Sequence, residues 1–127
     1  MSWQYDHTHF KCSDPEKTAA FFKDNFGATE VSRSDSSGMS ILTLDIGGLW
    51  YNFSPKRSGE TVDPRMQPPR YGVYHIALKT RDLPAEAAKL KARGVKFTQE
   101  VTQSNPKTKL AFVEGPDGIS IELLQRD

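Results

Sequence analysis

Two stretches of this chain read as imperfect copies of one another. When the segment Tyr5-Asp6-His7-Thr8-His9-Phe10-Lys11 is laid over Val73-Tyr74-His75-Ile76-Ala77-Leu78-Lys79, a constant shift of 68 positions brings His7 onto His75 and Lys11 onto Lys79. The same shift pairs Asp14 with Asp82, Ala19 and Ala20 with Ala87 and Ala88, and Phe22 with Leu90. Later in each half a Gly-led apolar run recurs, Gly48 to Phe53 against Gly118 to Leu123, at a shift of 70, so Asn52 is the internal counterpart of Glu122. Two copies at a fixed period describe a duplicated module, not a solenoid. Each half must therefore fold into the same small unit.

The order of elements within a copy follows from side-chain period and punctuation. Tyr5 to Cys12 alternates as a strand, with Tyr5, His7, His9 and Lys11 on one face and Phe10 and Cys12 on the other. Asp14 is a good N-cap and Pro15 suits the first helical position. Ala19, Phe22 and Phe26 then recur at helical spacing until Gly27. Thr29 to Arg33, Ser40 to Asp45 and Leu49 to Ser54 read as antiparallel strands, separated by turns at 34–38 and at Gly47-Gly48. The second half repeats the pattern. Its strand runs from Tyr74 to Thr80, its helix from about Pro84 to Arg93, and its last strands lie near 95–101, 109–114 and 119–124. The expectation is an α+β chain of two βαβββ modules, 1–54 and 73–127, forming curled mixed or antiparallel sheets with helices outside. Residues 55–72 form a connecting loop within one 127-residue domain. That loop holds four of the eight prolines together with Lys56, Arg57, Arg65, Arg70 and Tyr71, as a lid or dimer arm would, or an exposed ordered loop.

Seventeen basic and sixteen acidic residues leave a net charge of +1 without a long like-charge block, so neither nucleic acid nor anionic lipid is an expected partner. No apolar stretch approaches the ~20 residues of a membrane span, and the polar start is not a signal peptide; a cytoplasmic protein is expected. A single cysteine, Cys12, excludes an intrachain disulfide and faces the core as a small hydrophobe.

Strand alternation places His7, His75 and Glu122 on faces opposite the apolar residues that must pack against helices. Two imidazoles and one carboxylate suit a divalent zinc, iron, nickel or manganese ion and leave coordination positions open, as catalytic sites do. The plain alternative, hydrogen-bonded strand histidines and a solvated carboxylate, does not account for a histidine at equivalent points of both copies.

With these residues in view, the chain resembles the vicinal oxygen chelate superfamily, the fold of glyoxalase I, fosfomycin-resistance proteins, extradiol dioxygenases and bleomycin-binding proteins. The carriers are His7-Thr8-His9-Phe10, Asp14-Pro15-Glu16-Lys17-Thr18, Phe21-Phe22, Phe26-Gly27, Gly72-Val73-Tyr74-His75-Ile76 and Gly115-Pro116-Asp117-Gly118-Ile119-Ser120-Ile121-Glu122. The resemblance implies metal ligation by His7, His75 and Glu122. It also implies glyoxalase I-like action on a small substrate with vicinal oxygens, with glutathione as a candidate co-substrate. Asn52 stands where glyoxalase I has a second glutamate, which leaves Glu122, or His9 on the face of His7, as the candidate base; His9 equally reads as a residue that shapes the pocket. The resemblance further implies a swapped homodimer with sites at the interface. There Trp50, Tyr71 and Leu124 would supply apolar walls, and Lys11, Lys79, Arg65 and Arg70 would hold an anionic tail, with Asn52 also facing substrate. Other readings keep the fold. One is an Fe(II) dioxygenase with the same ligands. Another is a thiol transferase, which would lack part of its anion clamp beyond Glu122. The last is a metal-free binder of the bleomycin type, for which Trp50 suits stacking.

Overall fold

The computed structural model describes residues 2–36, 39–63 and 71–127, without the side chains of Ser36 and Met39. The chain forms two compact units, Met1–Asp63 and Pro64–Asp127, which divide within the 55–72 connection. The first contains β1 (His7–Lys11), α1 (Pro15–Phe26), β2 (Thr29–Ser36), β3 (Met39–Ile46) and β4 (Leu49–Ser54). The second contains β5 (Ile76–Lys79), α2 (Leu83–Ala92), β6 (Lys96–Asn105), β7 (Thr108–Glu114), a short 3-10 turn (Pro116–Gly118) and β8 (Ser120–Arg126). Each sheet has four strands, in the orders β1-β4-β3-β2 and β5-β8-β7-β6. In each, the first strand runs parallel to the last and the remaining pairs are antiparallel. This is the expected α+β architecture of two βαβββ modules.

The strand registers carry the duplication into three dimensions. Thr8 lies opposite Tyr51 and His9 opposite Asn52 in the first sheet; Ile76 lies opposite Ile121 and Ala77 opposite Glu122 in the second. Both helices start on the same device. The Asp14 carboxylate accepts from the amide of Lys17 at 3.2 Å, and that of Asp82 from the amide of Ala85 at 3.1 Å. Gly27 ends α1 in the left-handed region at φ 66°, where a Cβ would be strained.

One face of each sheet packs against its helix. In the first unit Leu42, Leu44, Ile46, Tyr51, Phe53 and Cys12 are buried there, and Phe53 stacks on Phe10 and meets Phe22 at a tilt, with ring centroids 5.7 and 5.8 Å away. In the second, Ala111, Val113, Ile121 and Leu123 are buried with Leu83, Ala87 and Leu90 of α2. Strand alternation then sends the intervening residues, among them His9 and Asn52 in one unit and Phe112 and Glu122 in the other, to the face away from the helix.

Several boundaries differ from those expected. β2 continues to Ser36, because Ser34, Asp35 and Ser36 pair with Ile41, Ser40 and Met39, so strand stands where a turn was expected from 34 to 36. Residues 37 and 38, on which that turn was also placed, lie outside the described residues. β5 begins at Ile76, since only from there does it pair with β8, so His75 precedes the strand instead of lying on it. β6 reaches Asn105 through three register shifts, which bulges permit and simple alternation does not reveal. Among the described residues no helix is long and apolar enough to cross a membrane.

Candidate metal centre

In the second unit the turn after β7 sets the position of Glu122. The Gly115 amide donates to the Ile119 carbonyl at 2.7 Å and the Ile119 amide to that of Pro116 at 3.2 Å, closing the Pro-Asp-Gly turn. Asp117 takes up a left-handed backbone at φ 57° and Gly118 follows at φ 73°. The chain then re-enters the sheet with Ile121 and Leu123 facing the core and Glu122 facing away. His75 reaches the same face from just before β5. Its Nε2 lies 3.5 Å from Oε1 of Glu122, and both side chains are largely covered.

That separation exceeds an ordinary hydrogen bond. It matches two ligands of a common ion, because donors 2.0–2.2 Å from a tetrahedral metal lie roughly 3.4 Å apart. Nδ1 of His75 is buried without a hydrogen-bond partner among the described residues, so the ring is held by packing: edge-on to Phe112 at 5.2 Å and to Tyr74 at 4.8 Å between centroids. A nitrogen and a carboxylate oxygen converging at this distance, an ion pair if the imidazole is protonated, would also fit a divalent ion as a donor set. Among the described residues no group of three or more His, Cys, Asp or Glu side chains forms such a set by itself.

In the first unit His7 sits on β1 opposite Trp50, and its Nδ1 is 2.5 Å from Oδ2 of Asp6. A carboxylate on Nδ1 fixes the ring and leaves Nε2 as the free donor, the arrangement that orients ligating histidines. His9, two residues on, is 2.6 Å through Nε2 from the hydroxyl of the fully buried Ser54. Burial, with His7 and Lys11 nearby, holds the His9 imidazole below the usual histidine range. Asn52 Oδ1 accepts from the Thr43 hydroxyl at 2.6 Å. A carboxamide, unlike a carboxylate, is not a general base.

The remaining expected site residues divide. Trp50 and Tyr71 are exposed, Leu124 is buried at the last strand, and Lys79 is exposed on β5 beside it. Lys11 is ion-paired with Glu60, which also accepts from the Arg57 amide at 3.1 Å, so Lys11 is tied to the following loop. Arg65 and Arg70 lie outside the described residues. Four partners escaped sequence reasoning: Asp6, adjacent to His7; Ser54, at the far end of β4; and Tyr74 and Phe112 around His75. Asp6 was legible as the neighbour of a candidate ligand, whereas the others depend on register.

The chain belongs to the Glyoxalase/Bleomycin resistance protein/Dioxygenase superfamily, which it matches over residues 4–123. It is similar to a probable lactoylglutathione lyase of Synechocystis, 27% identical over 94% of this chain and 92% of the relative. It is also similar to Glyoxalase I of Saccharomyces cerevisiae, 24% identical over 94% of this chain but spanning only 44% of that protein. Among solved structures, the fosfomycin resistance protein FosX of Listeria monocytogenes superimposes with a TM-score of 0.77 at 21% identity, covering 100% of this chain and 96% of that one. FosX has also been crystallised with Mn(II) and sulfate ion.

Proposed function

We propose that this chain is a divalent-metal enzyme of the glyoxalase I type, a lyase or isomerase acting on a small substrate with vicinal oxygens. His7, His75 and Glu122 are its proposed ligands. The carrying observation is the approach of His75 Nε2 to Glu122 Oε1 on the face of the second sheet away from its helix. When bound, a divalent ion supplies Lewis-acid polarisation of the substrate oxygens. Glu122 and His75 would hold it, Asp6 would orient His7 for the same task, and the aromatic rings of Tyr74 and Phe112 would fix the His75 ring by packing. Proton movement between adjacent carbons falls to Glu122 or to His9, which Ser54 fixes in place. Glutathione as co-substrate, an interfacial site in a homodimer and cytoplasmic location belong to the same reading.

One observation favours a second reading. Asn52, turned toward Thr43, removes the second carboxylate that the glyoxalase resemblance implies, and an Fe(II) dioxygenase with the same three ligands does not need it. Elemental analysis of protein purified without added metal or chelator, beside His75→Ala prepared identically, tests both. Near-stoichiometric metal that the variant lacks supports the enzyme. Zinc, nickel or manganese then favours the lyase, and iron the dioxygenase. No metal in either protein, and none taken up on titration, refutes both and leaves a metal-free small-molecule binder of the bleomycin-resistance type.

A further inference from the structure

Beside the His75–Glu122 pair, on the same side of the second sheet, lies a cleft of about 210 Å³ lined by Tyr74, Thr98, Gln99, Phe112, Glu114 and Ser120, together with Val113 and Gly118. Register explains why these residues meet. Phe112 lies opposite both Gln99 and Glu122, and Glu114 opposite Ser120, so one row of side chains runs from the carboxylate of Glu122 into the cleft. The volume is below the roughly 300–1,000 Å³ of a drug-sized pocket and limits an occupant to about one ring with a short arm.

The lining has a consistent chemistry. Tyr74 and Phe112 lie 6.3 Å apart with their planes 33° from parallel, and Phe112 also meets His75, so one wall is a set of aromatic surfaces. The rest of the lining offers residues with hydrogen-bonding groups, namely Gln99, Thr98 and Ser120, together with one carboxylate residue, Glu114. Lys96 Nζ donates to Glu114 Oε2 at 3.1 Å from outside the lining, and Oε1 remains an acceptor. No cationic side chain lines the cleft among the described residues. Glu114 is ion-paired on one oxygen from outside the cleft, and with no cation in the lining itself its second oxygen favours a hydrogen-bond donor over an anion.

We infer that this cleft binds a small aromatic molecule carrying a hydrogen-bond donor, an amine or a hydroxyl, with its ring against Phe112 and Tyr74 and its donor on Glu114. The inference deepens the functional reading, on which it rests only in taking this ligand for the non-reacting part of the substrate.

Calorimetric titration of the full chain, as purified and again after chelator treatment, with 2-phenylethylamine, 2-phenylethanol and 3-phenylpropanoate tests it at matched size. The amine and the alcohol are expected to bind in both preparations, and the carboxylate at least ~tenfold more weakly in the chelated one. Glu114→Gln should lower amine affinity about tenfold and move alcohol affinity less, because only the protonated amine adds an ion pair to the hydrogen bond that both donate to the carboxylate. Phe112→Leu, which keeps an apolar side chain of similar bulk, should weaken the amine and the alcohol together. Comparable binding of the carboxylate after chelation, no binding of amine or alcohol, or affinities unmoved by both variants would overturn the inference. Metal uptake, measured on the same samples, is a separate readout. Fragment selectivity without metal uptake removes the enzyme and keeps the cleft, and metal uptake without selectivity does the reverse.

Discussion

Ser54 has no exposed surface, yet its hydroxyl is spent on a histidine that lies partly in solvent. A buried hydroxyl without a partner would carry its desolvation cost uncompensated, so His9 and Ser54 stabilise one another's positions. Ser54→Ala removes the hydroxyl without leaving a buried orphan, because the imidazole it releases can be hydrated. Urea denaturation should therefore record a loss of about 0.5–1.5 kcal/mol, at the ordinary value of one hydrogen bond; a loss near zero would mean that the pair has no energetic role. Charge acts differently at the surface. Arg33 donates to Glu16 at 3.0 Å and to Glu30 at 2.8 Å, while Lys23 donates to Glu30 at 3.0 Å. These bonds hold the Glu30 carboxyl down to about 2 and pull Glu16 down as well. A carboxylate whose folded pKa is depressed binds fewer protons folded than unfolded. Its stabilising effect is complete above the ordinary 4.5 and is lost as pH falls toward about 2. The urea midpoint should thus drop between those values in the native chain and drop less in Arg33→Ala, with the difference shrinking in high salt.

At the scale of elements the two helices permit a comparison that most proteins do not. Asp14 and Asp82 occupy equivalent cap positions, each accepting from the amide three residues on, at 3.2 and 3.1 Å. Asp14→Ala and Asp82→Ala should each cost about 1 kcal/mol. Because each helix packs on its own sheet, the two losses should add in the double variant, as independent sites do. A double variant differing from the sum by well over ~0.5 kcal/mol would show the two units to be energetically coupled. These caps, with Pro15, Pro84 and the glycines that follow, made both helices readable to within one residue at either end. The strands were less readable, for a physical reason. β6 shifts register three times, and a period of two cannot be followed through bulges whose extra residues are specified by the partner strand. Tyr74 and His75 have strand-like side chains and so extend the strand expected from sequence, while pairing with β8 begins only at Ile76.

Across the whole chain, duplication was the most informative signal, because it ties two local patterns to a single geometry. Placing Asn52 and Glu122 at equivalent points needed only the Gly-led runs, and their strand partners His9 and Ala77 are themselves equivalent. What the sequence could not carry was side-chain direction near the candidate site: the approach of His75 to Glu122, the Asp6 carboxylate on His7, and the aromatic wall of the cleft all depend on turns and registers. The proposed ligands draw on both halves of the sequence, and this gives a test on the intact molecule. A ligand that binds only the folded state raises stability by RT ln(1 + [L]/Kd), about 4 kcal/mol at a thousandfold excess over Kd. Manganese or zinc added to chelator-treated protein should therefore raise its Tm by several degrees. Glu122→Gln and His7→Ala should each remove most of that rise, since losing one of three ligands weakens binding far more than it weakens the fold. A rise that survives His7→Ala but not Glu122→Gln would confine the ion to the His75–Glu122 pair and exclude His7 as a ligand.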